Sequence, residues 1–157
     1  MDEFGSTISG EDVAVPEELR SEFNHPDEVR VQSLPCDRPG LKSIAVHFGA
    51  GARTVPHVHR SGQHLVFVDG VGVVGDESGV RVVRAGDVIS SPPGSWHWHG
   101  AVPGMPATHV TFEQPGDFDR DVDRRDWNDS YPPDLGAYRT TRPRAPRHQD
   151  PPKRARR

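Results

Sequence analysis

Only one cysteine, Cys36, stands among 157 residues. An intramolecular disulfide is therefore excluded, and nothing points to an oxidising compartment. Long apolar runs are missing too. No stretch approaches the ~18 residues that a membrane helix needs. The acidic opening MDEFGSTISGEDVAVPEEL has no apolar core of the kind a signal peptide carries. An excess of either charge is missing as well: 19 Lys and Arg stand against 23 Asp and Glu, and the formal net charge of -4 makes no case for nucleic acid or an anionic membrane as a partner. These absences lead to the expectation of a soluble, cytoplasmic protein whose partner is a small molecule.

The chain is rich in turn formers, with 16 Gly and 16 Pro, which favours short elements over long helices. The mean hydropathy of -0.71 is low for 157 residues, and such an average fits one compact core flanked by polar ends. The apolar content concentrates in residues 41–113, where only five Asp or Glu occur. Residues 1–40 read as an N-terminal extension, with PEELRSEF (16–23) as a short helix and EVRVQSL (28–34) as an edge strand. Residues 114–157 read as a polar C-terminal extension, and the basic, Pro-rich stretch 139–157 is expected to be disordered. Inside the middle zone LKSIAVHF alternates, with Lys42, Ile44, Val46 and Phe48 on one face. QHLVFVD is β-rich and is expected to stop at Gly70. VGVV and GVRVV flank the turn GDES, and GDVISS, WHWHGA and ATHVTFE follow as short strands. Many short strands punctuated by Gly and Pro predict an all-β, antiparallel sandwich or barrel.

Histidines dominate the chemistry. HVHRSGQH (57–64) holds three of them, and His97, His99 and His109 lie on later strands. With a period of two, His57 and His59 share a face, as do His97 and His99, while Trp96 and Trp98 point the other way. His109, Thr111 and Glu113 share a face of the last strand. These sets converge only if the sheet curls around a cavity. Neutral imidazole is a good ligand for Mn, Fe, Co, Ni, Cu or Zn, and Gln63 can add an amide oxygen.

GARTVPHVHRSGQHLVFVDG resembles the first cupin motif, G-x5-H-x-H-x3-E-x6-G, with Gly51, His57, His59, Gln63 and Gly70 in register. GDVISSPPGSWHWHGA resembles the second, G-x5-P-x-G-x2-H-x3-N, with Gly86, Pro92, Gly94 and His97 in register. The resemblance implies a single-domain double-stranded β-helix, or jelly roll, of the RmlC-like type. Gln63 replaces the usual Glu and Ala101 the usual Asn. The Gln form, with GART, HWHGA and THVTFE, is similar to the small bacterial cupins labelled carboxymuconolactone-decarboxylase-like, which include manganese-dependent hydroxynitrile lyases. That likeness implies a divalent metal, Mn first and Fe, Ni, Co or Zn next, at His57, His59, Gln63 and His97. It implies acid–base roles for His99 and His109. Pro56 and Arg60-Ser61-Gly62 stand where that group has an aromatic residue and Pro-Leu-Gly, and they are expected at the mouth of the pocket.

Other readings stand beside these. His64 competes with Gln63 as the fourth ligand and would otherwise point outwards. His99 is either catalytic or a support that orients a ligand, and His109 either functional or a core histidine. Glu113 reads as the exit of its strand to solvent, and His47 as structural. Ile44, Val46 and Phe67 are expected to line a small apolar pocket. Trp96 and Trp98 are expected to pack an outer face or a homodimer interface. The function expected is that of a metal-dependent enzyme, a lyase, decarboxylase or isomerase moving protons on a small organic molecule. The alternatives are a metal-dependent dioxygenase and a non-catalytic binding or sensing module.

Overall fold

A computed structural model describes residue 8 and residues 11–127. The basic stretch 139–157 lies outside the described residues. Among the described residues ten strands follow one another: β1 (Val13–Ala14), β2 (Val29–Ser33), β3 (Lys42–Phe48), β4 (Val58–His59), β5 (Gln63–Asp76), β6 (Gly79–Arg84), β7 (Val88–Ser91), β8 (His97–Ala101), β9 (Ala107–Glu113) and β10 (Phe118–Asp119). Two short 3-10 turns, Glu17–Glu22 and Pro26–Glu28, precede β2. Every pairing is antiparallel. β1, β2, β3, β9, β5 and β6 are neighbours in that order, β7 and β8 also pair with β5, and β10 pairs with β4.

β5 organises this arrangement. Its first part, Gln63–Val66, lies between β9 and β7, and its second part, Val71–Asp76, between β6 and β8. The expected stop at Gly70 is therefore a corner inside one 14-residue strand. The register slips between Phe67 and Asp69, and Gly70 takes φ 71°, a value that L side chains rarely adopt. A bulge plus a glycine lets one strand leave one sheet and enter the other. A Cβ on Gly72 would lie 2.1 Å from the Phe67 ring, so the turned strand folds tightly over its own aromatic residue.

Two apolar clusters result. One joins Val29, Phe48, Leu65, Phe67 and Ala107, with Leu19 and Phe23 packed against it. The other joins Val55, Val71, Val73, Trp96, Trp98, Val102 and Trp127. Trp96 and Trp98 were expected on an outer face or between two copies. They are instead buried within the chain, at 8% and 1% exposure, because the Arg125 guanidinium lies 4.6 Å from the Trp96 ring centre and Trp127 and the Arg53 guanidinium pack with Trp98. The Arg53 guanidinium lies 5.4 Å from the Trp98 ring centre and 4.4 Å from that of Trp127. The tryptophans offer no surface to a second copy, and the expected homodimer would need another face.

Candidate metal centre

Two antiparallel bridges bring the site together. His57 pairs with His97, each N–H donating to the other's carbonyl at 2.9 and 3.1 Å. The Thr54 N–H donates to the His99 carbonyl at 2.8 Å, and the His99 N–H donates to Thr54 Oγ1 at 3.1 Å. The segment before β4 thus lies along β8, and the period of two aims His57, His59, His97 and His99 into the same interior. His57, His59 and His97 are buried and offer nitrogens within 4.8 Å of one another. These three can hold a metal ion. The structure brings Gln63 to them, with its Oε1 3.0 Å from His97 Nε2. His64 is exposed and points away.

The hydrogen bonds decide which atoms are free. His57 Nδ1–H donates to the Val55 carbonyl at 2.8 Å, and His97 Nδ1–H to the Ser95 carbonyl at 2.9 Å. A carbonyl only accepts, so both protons sit on Nδ1 and the Nε2 lone pairs are left over. Burial pushes His97 down to about 4, and burial with the neighbouring His97 pushes His57 well below the ordinary imidazole range. Both rings are neutral at pH 7. His59 is lowered as well, mainly by burial, with Glu113 opposing. Neither of its ring nitrogens has a hydrogen-bond partner.

This arrangement fits a cation. His97 Nε2 and Gln63 Oε1 face each other as two acceptors at 3.0 Å. The Gln63 amide cannot turn round freely, because its Nε2 already donates to Glu113 Oε2 at 3.0 Å. Two opposed lone pairs repel, and a shared positive ion removes the repulsion. At usual metal–ligand lengths of about 2.1 Å, neighbouring donors lie roughly 3 Å apart. The unpartnered nitrogens of His59 are a second mark of the same kind.

Beside the cluster lies a second pair. His109 Nε2 and His99 Nδ1 are 3.1 Å apart, both rings buried. His99 Nε2 and His109 Nδ1 have no partner. Burial and the facing His109 push His99 well below its ordinary value, and burial takes His109 down to about 3. Phe48 and Phe67 pack on His109 at 5.3 Å each. His57, His59, Gln63, His99, His109 and Glu113 line a cavity of about 260 Å³, whose walls include Leu19, Phe23, Ile44, Val46, Phe48 and Phe118, whereas His97 and Phe67 do not reach it.

Three expectations need correction. Glu113 was expected to lead out to solvent. Its side chain is only 13% exposed and bonds Gln63, because β9 pairs with β5 and places Glu113 opposite the first residue of β5. Phe67 was expected in the pocket but packs behind His109, since the β5 corner turns it away. Pro56 and Arg60-Ser61-Gly62 do not line the cavity either. Pro56 is fully buried, and the Arg60 turn is tied to Asp117: Arg60 N–H donates to the Asp117 carbonyl at 3.1 Å and Ser61 N–H to Asp117 Oδ2 at 2.6 Å. The sequence reading missed Phe118, whose ring lies 4.8 Å from His57 and 5.5 Å from His59. It also missed Leu19 and Phe23, which reach the cavity from the N-terminal turn. Only the apolar residues in PEELRSEF hinted at a buried face.

Known structures share this fold. A cupin-like protein from Thermotoga maritima is 28% identical with a TM-score of 0.58, the match covering 68% of this chain and 86% of that one. The chain has the cupin fold. The polyketide cyclase RemF from Streptomyces resistomycificus shares this fold at 16% identity and a TM-score of 0.60, over 75% of this chain and 84% of that one. Among curated proteins the chain is 41% identical over 75 residues to an (R)-mandelonitrile lyase from Granulicella tundricola, 47% of this chain. The matched region spans 57% of that protein's length. No family model matches the chain. Among the described residues no helix is long and apolar enough to cross a membrane.

Proposed function

We propose that this cupin is a metal-dependent lyase that cleaves or forms a carbon–carbon bond in a small 2-hydroxynitrile, with manganese as the metal. The observation that carries the reading is the neutral His99–His109 pair, hydrogen-bonded and buried beside the three-histidine cluster, with His57, His59, His99 and His109 lining one largely apolar cavity. The likeness to an (R)-mandelonitrile lyase supports the choice of substrate class.

His57, His59, His97 and the Gln63 oxygen would hold the metal. When bound, it supplies positive charge that stabilises negative charge developing on the substrate. The cavity walls exclude water and hold an apolar substituent next to the histidines. Cleavage of a 2-hydroxynitrile removes the hydroxyl proton, breaks the bond to the nitrile carbon and yields an aldehyde and hydrogen cyanide. The His99–His109 pair suits the proton transfer. A ring nitrogen of His99 that accepts the hydroxyl proton can pass the proton of its Nδ1 to His109 Nε2 across their 3.1 Å hydrogen bond. Cyanide then takes a proton back from the pair. A neutral pair is what a base at neutral pH requires.

The test is turnover of (R)-mandelonitrile by Mn(II)-loaded protein, followed by the ultraviolet absorption of the aldehyde. His99→Ala and His109→Ala are expected to keep the metal and lose roughly 10²–10⁴ in turnover. Equal activity of the metal-free protein, or oxygen consumption without aldehyde release, would sink the reading, the latter in favour of a dioxygenase.

A further inference from the structure

We infer that Glu113 makes Gln63 a metal ligand, holding its amide nitrogen so that the oxygen faces the cation and supplying the negative charge that a neutral ligand lacks. The inference rests on the metal-centre reading above.

The two ends of a glutamine amide have nearly the same shape, and the torsion that exchanges them is soft. Next to a neutral histidine lone pair, the favoured orientation is NH₂ toward the ring, which makes a hydrogen bond. Gln63 does the reverse: its oxygen sits 3.0 Å from His97 Nε2. What overrides the local preference is the carboxylate on the other side. Gln63 Nε2 donates to Glu113 Oε2 at 3.0 Å, and a bond to a charged acceptor is about twice as strong as a neutral one. Without Glu113 the amide is free to turn and direct its NH₂ at the lone pair meant for the cation. With it, the unfavourable contact between two acceptors is already formed and is relieved only by a positive ion.

Glu113 is itself held in place. Thr111 Oγ1 donates to Glu113 Oε2 at 3.4 Å, and Lys42 Nζ lies 3.6 Å from Oε1. Strand register sets the meeting, because His64 pairs with Phe112 and Lys42 with Glu113. Gln63 and Glu113 therefore fall opposite each other across β5 and β9. The carboxylate also lies 3.8 Å from His59 Nε2. Three neutral histidines and an amide leave a divalent ion with its full charge, and Glu113 sets one negative charge beside that shell.

The experiment measures the Kd for Mn(II) alone on the full chain, by competition with a coloured chelator. Glu113→Ala is expected to raise the Kd roughly 10–100-fold, as losses of groups that orient a ligand do. Glu113→Gln keeps an acceptor but loses the charge, and is expected to fall between Glu113→Ala and the parent. Gln63→Glu alone sets two carboxylates against each other and is expected to weaken binding. The combined Gln63→Glu/Glu113→Gln variant exchanges the charge and the amide, and is expected to recover the parent affinity, which a purely structural role would not predict. In metal-free Glu113→Ala the Gln63 side-chain NH₂ resonance is expected to shift as the amide turns. A Kd for Glu113→Ala indistinguishable from the parent's, or a combined variant as weak as Gln63→Glu, overturns the inference while leaving the metal centre standing. A parent that binds Mn(II) no better than His57→Ala/His59→Ala overturns the metal-centre reading and this inference with it.

Discussion

His109 is a core histidine and a candidate proton carrier at once, and its burial has a consequence for acid stability. The folded chain holds it near 3 because burial disfavours the charged ring, whereas an unfolded histidine titrates near 6.5. Below about pH 6.5 the unfolded chain takes up a proton at this position that the folded chain refuses. Stability from this residue is therefore complete above that pH and falls by about 1.4 kcal/mol per pH unit as acid is added, levelling off near 3. His109→Gln removes the titration and leaves a neutral group able to hydrogen-bond His99. Denaturant unfolding of the metal-free protein at pH 7, 6 and 5 should show the variant losing about one proton's worth less stability per unit than the parent. Parallel curves would mean that His109 is protonated or hydrated in the fold.

Among elements, β8 and the segment laid along it matter most, because together they set the distance between His57 and His97. Their contact depends on Gly100. A Cβ there would lie 2.3 Å from the Ala52 carbonyl oxygen and 2.4 Å from Arg53 Cα. Both are backbone atoms, so no side chain can move aside. The Ala101 N–H also donates to the Ala52 carbonyl at 2.8 Å. Gly100→Ala is expected to cost about 3 kcal/mol or more. It should also weaken Mn(II) binding, because the displaced segment carries His57. Urea unfolding beside metal titration checks both effects, and a variant with parent stability would show that the two segments can separate without strain.

In the whole molecule, the cavity is assembled from parts far apart in the chain. Leu19 and Phe23 come from the connection between β1 and β2, Ile44, Val46 and Phe48 from β3, and Phe118 from β10. The other face is closed by Trp127, which is 5% exposed and whose carbonyl accepts a hydrogen bond from Arg53 Nη1 at 3.2 Å. Arg53 follows directly on Ala52, so this cover also braces the segment that leads to His57. Trp127→Ala is expected to cost roughly 3–5 kcal/mol, the range for removing a buried aromatic residue. Calorimetry should record the loss as a lowered Tm. An unchanged Tm would mean that the Trp127 side chain adds nothing to the fold.

The sequence alone determined what depends on neighbours one or two residues apart. Alternation put His57 with His59, His97 with His99, and Trp96 with Trp98 opposite them, and the spacing of glycines and prolines marked most strand ends. The three-histidine cluster was legible for that reason, since a pleated strand sends i and i+2 to one face whatever it pairs with. Gln63 was legible only through its place in a known motif. The tertiary structure decided which face meets which. Strand register set Glu113 against Gln63 rather than in solvent, the corner at Gly70 joined two expected strands into one and turned Phe67 away, and chain closure brought Phe118 to the histidines and Trp127 over Trp98. These are long-range pairings whose partners lie tens of residues apart. Local periodicity carries no record of them, because the same alternation is compatible with many registers until the whole sheet curls and packs.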